Sequence, residues 1–303
     1  MKTVSSLFTQ IAMPSNPYVM PTQTDRTALA HFYSEGATGG VEQTPATGQL
    51  SLSAKRFMSF VDFTDEVTQD SAVAILPFVR DWLSRSMARG LEEAVINGDT
   101  NGTHFDNDVA GGAATLPQKA FDGLRNIAWM QAGSAINQVP ADGQTFLIAD
   151  VAGLMGDMTA QYTAQTDRLV WIVAPLGIVK MIRDLTDFNT VDKVGNDRAL
   201  LLGGAKAMGM LYGSPVVVSD AVPTDLHDTG VNTSGGDNDT TAYILAHRDC
   251  FAVGTRMTPV LEQDKTVKSG TTSLVLSARY AFGPFFGEGT GDDKCVVVGG
   301  NIL

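Results

Sequence analysis

The stretch PFVRDWLSRSMARGLEEAVINGDTNG, residues 77–102, has a start, two faces and a stop that can all be read from its residues. Val79, Leu83, Met87, Leu91 and Ala94 recur at helical spacing on one side, while Arg80, Asp81, Ser84, Arg85, Ala88 and Glu92 fall largely on the other. The pattern predicts an amphipathic helix. From Pro77 it runs for about 22 residues, or roughly 33 Å at ~1.5 Å per residue, which is long for a globular domain. Asp81 stands four residues before Arg85, the favourable order for a helical ion pair. Asn97-Gly98 is expected to stop the helix, with the glycine taking a left-handed cap. The start has two solutions: Asp70 or Ser71 caps a helix over about 71–97 that Pro77 kinks, or Pro77 opens a helix where its missing N–H costs nothing.

Working outward, residues 50–66, LSLSAKRFMSFVDFTDE, alternate apolar and polar and predict strand ahead of the helix. Behind it come Asn97-Gly98-Asp99-Thr100-Asn101-Gly102 and then Phe121-Asp122-Gly123-Leu124-Arg125-Asn126. More than a hundred residues further on from the helix, LYGSPVVVSDAVP at 211–223 contains a G-x-P-V-V strand. Strand, acidic turn, long helix closed by NGD, FDGLxN and this later strand, in that order, resemble the major capsid proteins of tailed bacteriophages, the family with the Hong Kong 97 fold.

That resemblance spans essentially residues 11–300 and implies an α+β chain with four parts. These are an N-terminal arm at 1–30, an extended-loop hairpin at 31–56, a peripheral domain at 57–130 and 246–285 built on the long spine helix, and an α/β axial domain at 131–245 and 286–303. It implies a structural protein that self-assembles into hexamers and pentamers. These form an icosahedral head shell enclosing double-stranded DNA, in a virion assembled in the host cytoplasm. The implied partners are other copies of the chain, separate scaffolding and portal proteins, and a decoration or cementing protein.

The residues agree with this division in several places. Pro14, Pro17 and Pro21 exclude a persistent helix from the first thirty residues, so Ile11, Met13, Tyr18, Val19 and Met20 either dock as an extended arm or remain in a tail. Gly36, Gly39, Gly40, Pro45 and Gly48 interrupt the alternation around 31–56, the pattern of a two-stranded hairpin, which is only marginally stable without a surface to lie on. A short helix is expected over 119–132, a strand at Phe146-Leu147-Ile148-Ala149, a helix from Val151 to about Thr163 capped by Asp150, a buried strand at 169–173 and a helix over 176–185. Residues 257–262 are expected to pair with 273–282 across Lys268-Ser269-Gly270, presenting Leu274, Leu276, Ala278 and Tyr280 to the long helix. The apolar tail 295–303 would close the axial sheet.

Composition narrows the function classes. The 303 residues are 44 % hydrophobic, enough for a sizeable core, and no apolar run approaches the ~18 residues that cross a bilayer. Residues 1–10 lack the pattern of a signal peptide, and the sequons at Asn101, Asn232 and Asn238 are expected by chance. The 21 basic residues are scattered and outnumbered by 33 acidic ones, for a net charge of −12, so the chain is expected to contain nucleic acid rather than grip it. Cys250 and Cys295 carry no CxxC or paired histidine and are expected as buried thiols, not as a disulfide or zinc site.

No catalytic, cofactor-binding or metal-binding residue is expected. Gly287-Glu288-Gly289-Thr290-Gly291 follows Pro284-Phe285-Phe286 and leads into a strand, so it lacks the helix N-terminus of a phosphate cradle. His31, His104, His227 and His247 lie far apart; His247 with Asp249 and Cys250 remains compatible with a thiol–imidazole pair, although a structural histidine is the plainer reading. Asp237-Asn238-Asp239 is similar to the start of a calcium loop without its glycine or terminal glutamate.

Two departures from the family bear on function. Residues 31–54 contain no lysine, and Lys55 stands only at the base of the hairpin. The isopeptide bond made by the family's type member would have no amine there, so the shell is expected to be uncrosslinked. The chain also begins at Met1 directly before the arm, which is expected to mean either a separate scaffold protein or a processed start. An encapsulin-type nanocompartment shares the fold, but its usual N-terminal helix is incompatible with the proline-rich arm. A soluble acidic α/β enzyme is the reading from another class.

Overall fold

The computed structural model of the chain describes residues 4–23, 32, 35, 47–64, 66–67, 75–101, 104–131, 147–185, 189–190, 207–235, 237–285 and 294–302. Its centre is helix α1, Ile75–Asn97. Pro77 lies in the first turn, where its missing N–H leaves no bond unmade, and residues 71–74 are outside the described residues. Val79, Leu83, Met87, Leu91 and Ala94 are all buried, as their spacing predicts.

A four-stranded sheet covers the buried side of α1. Its strands are β1 (Thr9–Ala12), β4 (Lys55–Thr64), β10 (Phe251–Thr266) and β11 (Thr271–Pro284), in the order β1-β10-β11-β4. β1 runs parallel to β10 and the other pairs are antiparallel. Leu276 pairs with both Leu261 and Ser59, and Ser59 Oγ lies 3.3 Å from Ser86 Oγ of α1, so this face meets the helix. Leu274, Leu276 and Ala278 are buried on it, and Tyr280 packs beside them. The β10–β11 pair is the expected one, extended in both directions.

β2 (Tyr18–Gln23) pairs antiparallel with β3 (Thr47–Leu52). The strand expected to leave a hairpin confined to 31–56 therefore takes its partner from the preceding proline-bearing stretch. Alternation identifies a strand but not its partner, and Pro21 fits because an edge position demands less of its missing N–H. The base of this ribbon is held by Met13, Leu50, Leu52 and Ala54 against Ala252 and Ala281, so the arm docks on its own chain. Most of 31–46 lies outside the described residues.

The second sheet is mixed and has the order β12-β9-β5-β8-β7-β6. Its members are β5 (Leu169–Val173), β6 (Asn189–Thr190), β7 (Ala207–Leu211), β8 (Ser214–Val218), β9 (Thr241–His247) and β12 (Val296–Ile302). Every residue of β5 and β9 is buried, which explains their continuous apolar reading. Tyr212 and Gly213 both have positive φ, 50° and 78°, the conformation a tight β7–β8 turn requires. Three further helices flank this sheet: α2 (Leu124–Gln131), α3 (Ile148–Asp157) and α4 (Pro175–Asp184). α2 starts five residues later than its apolar pattern suggests, because Pro117–Lys119 forms a separate single turn.

The strand expected at 146–149 is not formed by its described part, for Leu147 caps α3 and Ile148 and Ala149 are already helical. Four apolar residues carry no decisive period, and the signal lay in Asp150. Its carboxylate accepts the N–H of Leu147 at 2.8 Å, placing Asp150 in the first helical turn instead of at the cap.

Candidate functional site

The chemistry-bearing residues singled out in the sequence do not converge on a reaction centre. Cys250 Sγ lies 3.3 Å from His247 Nδ1, but the two are only 1 % and 4 % exposed, which leaves a reactant no access. Asp249 faces away and pairs with Arg168 at 3.2 Å on the surface. Asn238 braces its own loop through both backbone groups of Thr233, and the flanking Asp237 and Asp239 are exposed. His227 contacts Asp228. Cys250 and Cys295 are both buried and form no disulfide. Among the described residues no group of three or more His, Cys, Asp or Glu side chains could hold a metal ion. His31 and residues 286–293 lie outside them.

The residues that do converge are those of the two short motifs at the C-terminal end of α1. Gly98 ends the helix, but its φ is not positive and the expected left-handed cap is absent. Close approach is what demands glycine here. A Cβ on Gly98 would stand 2.0 Å from the carbonyl oxygen of Phe121 and 2.5 Å from that of Ala94. A Cβ on Gly123 would stand 2.5 Å from the nitrogen of Gly98, and Gly123 N–H donates to Gly98 O at 2.9 Å. The two glycines are thus a reciprocal backbone contact, which spacing along the chain does not reveal.

Around that contact the polar side chains form a closed network. Arg125, 2 % exposed, makes a two-pronged pair with Asp106 at 2.7 and 3.1 Å and donates to Asn97 Oδ1 at 3.0 Å and to Gly230 O at 2.9 Å. Phe105 covers the guanidinium, with its ring centroid 4.9 Å away. Asp106 also accepts the N–H of Asn232, and Asn97 donates to Ala221 O at 2.7 Å. His104 accepts from Asp106 N–H on Nδ1, so its Nε2 carries the proton and donates to Asn97 O at 3.0 Å. Asp99 accepts from the N–H groups of Asn101 and Phe105 and from Asn126, while Asp122 accepts from Thr100 and Asn126. Buried charges are tolerated because each has partners, and the result ties α1 to the loops that carry the second sheet.

Glu92 is the sharpest departure from the helical-wheel reading. It was expected on the solvent face, yet it is 7 % exposed. Its Oε1 accepts from Ser219 Oγ at 2.8 Å and from the N–H of Val4 at 3.3 Å, joining the arm, the helix and the second sheet. Burial raises its pKa above the ordinary value, against the lowering effect of these two hydrogen bonds, and Asp220 adds to the rise. Glu93 is also raised, first by burial. Asp108 is raised by burial and by the nearby Asp106 and Asp225. Glu93, Asp106, Asp108, Asp220 and Asp225 line one cleft of about 710 Å³. It is an acidic fold in the surface with no catalytic base–nucleophile pair.

Two surfaces carry large exposed apolar side chains. On the face of the four-stranded sheet opposite α1, Met58, Phe60 and Val260 are 53 %, 59 % and 41 % exposed and share adjoining rows with Val275 and Ser277. On α4, Leu176, Val179 and Ile182 are 47 %, 61 % and 54 % exposed. Contiguous wet apolar surface of this kind marks interaction sites.

Comparison with known proteins agrees with this picture. The model of the phage capsid family matches residues 1–285. The major capsid protein of Escherichia phage T5 is 22 % identical over 290 residues, which cover 94 % of this chain and 56 % of that protein, so the chain spans little more than half the length of that relative. Among solved structures, a chain of Microbacterium phage Oxtober96 superposes with a TM-score of 0.60 at 16 % identity, over 98 % of this chain and 90 % of that one. A chain from the capsid of a native GTA particle gives 0.65 at 12 % identity, over 100 % and 92 %. At such identities the likeness is one of fold.

Proposed function

This chain belongs to the phage capsid family, and we propose that it is a major capsid protein whose copies form hexamers and pentamers in an icosahedral head shell around a double-stranded DNA genome. It is a structural protein, not an enzyme. The observation that carries the proposal is the pair of exposed apolar surfaces: Met58, Phe60 and Val260 on the sheet, and Leu176, Val179 and Ile182 on α4. A monomer gains nothing by exposing them, whereas neighbouring copies would bury them. The GTA particle whose capsid shares the fold was computed with fivefold symmetry, in keeping with rings of copies.

In this reading α1 and the four-stranded sheet form the peripheral domain, 57–130 and 246–285, and the six-stranded sheet forms the axial domain, 131–245 and 286–303. Residues 1–30 are the arm and 31–56 the extended loop, joined through the β2–β3 ribbon, and the loop lies over the Met58–Phe60 face of a neighbour. With no lysine in 31–54 the shell is held without isopeptide bonds, by burial and strand pairing. Separate scaffolding, portal and decoration proteins complete a virion assembled in the host cytoplasm. The net charge of −12 suits a wall that contains DNA without sequence-specific contacts.

Expression of the full chain, with and without a candidate scaffold, followed by gradient sedimentation and denaturing electrophoresis, tests this. Fast-sedimenting particles that dissolve into a single monomer band are expected. A product that remains monomeric or dimeric even with scaffold contradicts assembly, and a ladder of covalent multimers contradicts the uncrosslinked shell.

A further inference from the structure

The two long edges of the four-stranded sheet are finished differently. β1 covers β10 only at 252–255. Beyond it the edge of β10 is broken by register shifts between Thr255 and Met257 and between Met257 and Val260, contains Pro259, and bears Glu262, Asp264 and Lys265. Those are the devices that keep a strand edge from pairing. β4 has no proline and no bulge. Its 10 residues pair with β11 in unbroken register from Lys55 to Thr64, its centre at 57–61 is uncharged, and among the described residues no strand pairs with its other edge. α1 crosses β4 on the face opposite Met58 and Phe60, and its contact there, Ser59 with Ser86, is itself open to water, so the helix does not seal the edge.

Charge is sorted along this edge. At one end Arg56 stands opposite Arg279 of β11, and at the other Asp62 stands opposite Ser273, with Asp264 of β10 next in the row. Arg56 and Asp62 are exposed, and among the described residues neither has an ion-pair partner. Like charges facing across strands are unfavourable, so the row of two arginines calls for an acid on its open side. The strand supplies one itself, because Arg56-Phe57-Met58-Ser59-Phe60-Val61-Asp62 is its own complement. Reversed about Ser59, it sets Arg56 opposite Asp62, Phe57 opposite Val61 and Met58 opposite Phe60, with both members of each pair on one face. A shift of one residue would oppose the two faces, and a shift of two would lose both charge pairs.

We propose that two copies of the chain pair antiparallel along β4, about a two-fold axis at Ser59, and so join their four-stranded sheets into one of eight strands. The pairing rests on the reading of the chain as a self-associating shell protein, to which it adds a specific joint between neighbours. Arg56 meets the partner's Asp62 at each end, and Met58 and Phe60 of both copies form one apolar row between. Any strand could satisfy the open backbone groups of β4, but the side chains ask for an acid and a base six residues apart in reverse order, which a second β4 brings. A two-fold contact of this kind is self-complementary and closes on itself. It uses the edge of β4 and leaves the face to the loop.

The double variant M58C/F60C reads this register. In the pairing each changed position lies directly opposite the other on the second copy, about 5 Å away, whereas equal positions are diagonal at roughly 7–8 Å, beyond disulfide reach. The native Cys250 and Cys295 are buried. The full chain, as unassembled protein and as particles checked by electron microscopy, is mildly oxidised and resolved by non-reducing denaturing electrophoresis. A disulfide-linked dimer is expected from M58C/F60C and not from M58C or F60C alone. In the double-cysteine background R56D should lower the dimer yield about tenfold, and R56D/D62R, which exchanges the two charges, should restore it. All four positions are exposed, so the melting temperature of the variants should match the parent. Absence of the dimer from M58C/F60C, an equal dimer from a single variant, or a yield indifferent to R56D overturns the inference. Particles without the dimer leave the shell reading standing, while the dimer without particles supports the pairing and counts against the shell reading.

Discussion

The two halves of α1 obey different rules although they are one continuous helix. Among the described residues of the first half only Val79, Leu83 and Met87 are buried, and the wheel read from sequence is correct. From Leu91 to Asp99 every residue but Glu93 is buried, whatever its chemistry, because three distant segments close around it: Val4–Leu7, the Ser219–Ala221 stretch and the Phe121–Arg125 motif. The first half is a surface with a core face, and the second is a joint. Stability is concentrated where the chain returns.

The comparison is broken most severely at Gly98. G98A drives a Cβ to 2.0 Å from a backbone oxygen that cannot move without displacing the Phe121 motif, so a loss of about 4 kcal/mol or more is expected, read as insoluble protein or a collapsed melting temperature. R125A comes next. It leaves Asp106 buried with its cation gone, and urea unfolding should give a loss of about 3–5 kcal/mol. Gly90, eight residues before Gly98 in the same helix, sharpens the contrast by reversing the sign. A Cβ there meets nothing closer than Pro117 Cγ at 3.6 Å, so G90A should stabilise by about 0.5–1 kcal/mol.

Smaller and pH-dependent is E92Q. Burial raises the folded-state pKa of Glu92 above 4.5, so the folded protein prefers the protonated acid. The stability this contributes is complete below 4.5 and is lost as pH rises through the raised value. Glutamine can keep the acceptor for Ser219 and Val4 without the charge that Asp220 opposes. E92Q should therefore melt above the wild type at pH 7, and the gap should close on acidification toward 4.5; a gap that widens would refute the assignment. The smallest effect belongs to the exposed half. D81A removes an ion pair whose side chains are 72 % and 60 % exposed and should cost no more than about 0.5 kcal/mol, less in salt.

Legibility in the sequence follows the same division. Periodicity located α1, the face of β11 and the wholly buried β5, because each buries a regular set of side chains against one layer. It could not find that β3 pairs with β2, since alternation carries no partner, nor that Leu147 opens a helix. The joint was visible only as two short motifs, NGD and FDGLRN. Their spacing says nothing of the backbone contact between Gly98 and Gly123, and Asp106, which completes the Arg125 pair, lies in neither motif. Glu92 was misplaced for the same reason: a helical wheel assumes one covered side, and here a second segment covers the other.

The most direct test of the account is a cryo-electron microscopy reconstruction of the assembled product of the full chain. The account predicts closed shells built of rings of five and six copies, with the loop that leaves the β2–β3 ribbon of one copy lying across Met58, Phe60 and Val260 of its neighbour. A uniform small oligomer, with that surface and Leu176, Val179 and Ile182 of α4 open to solvent, would contradict it.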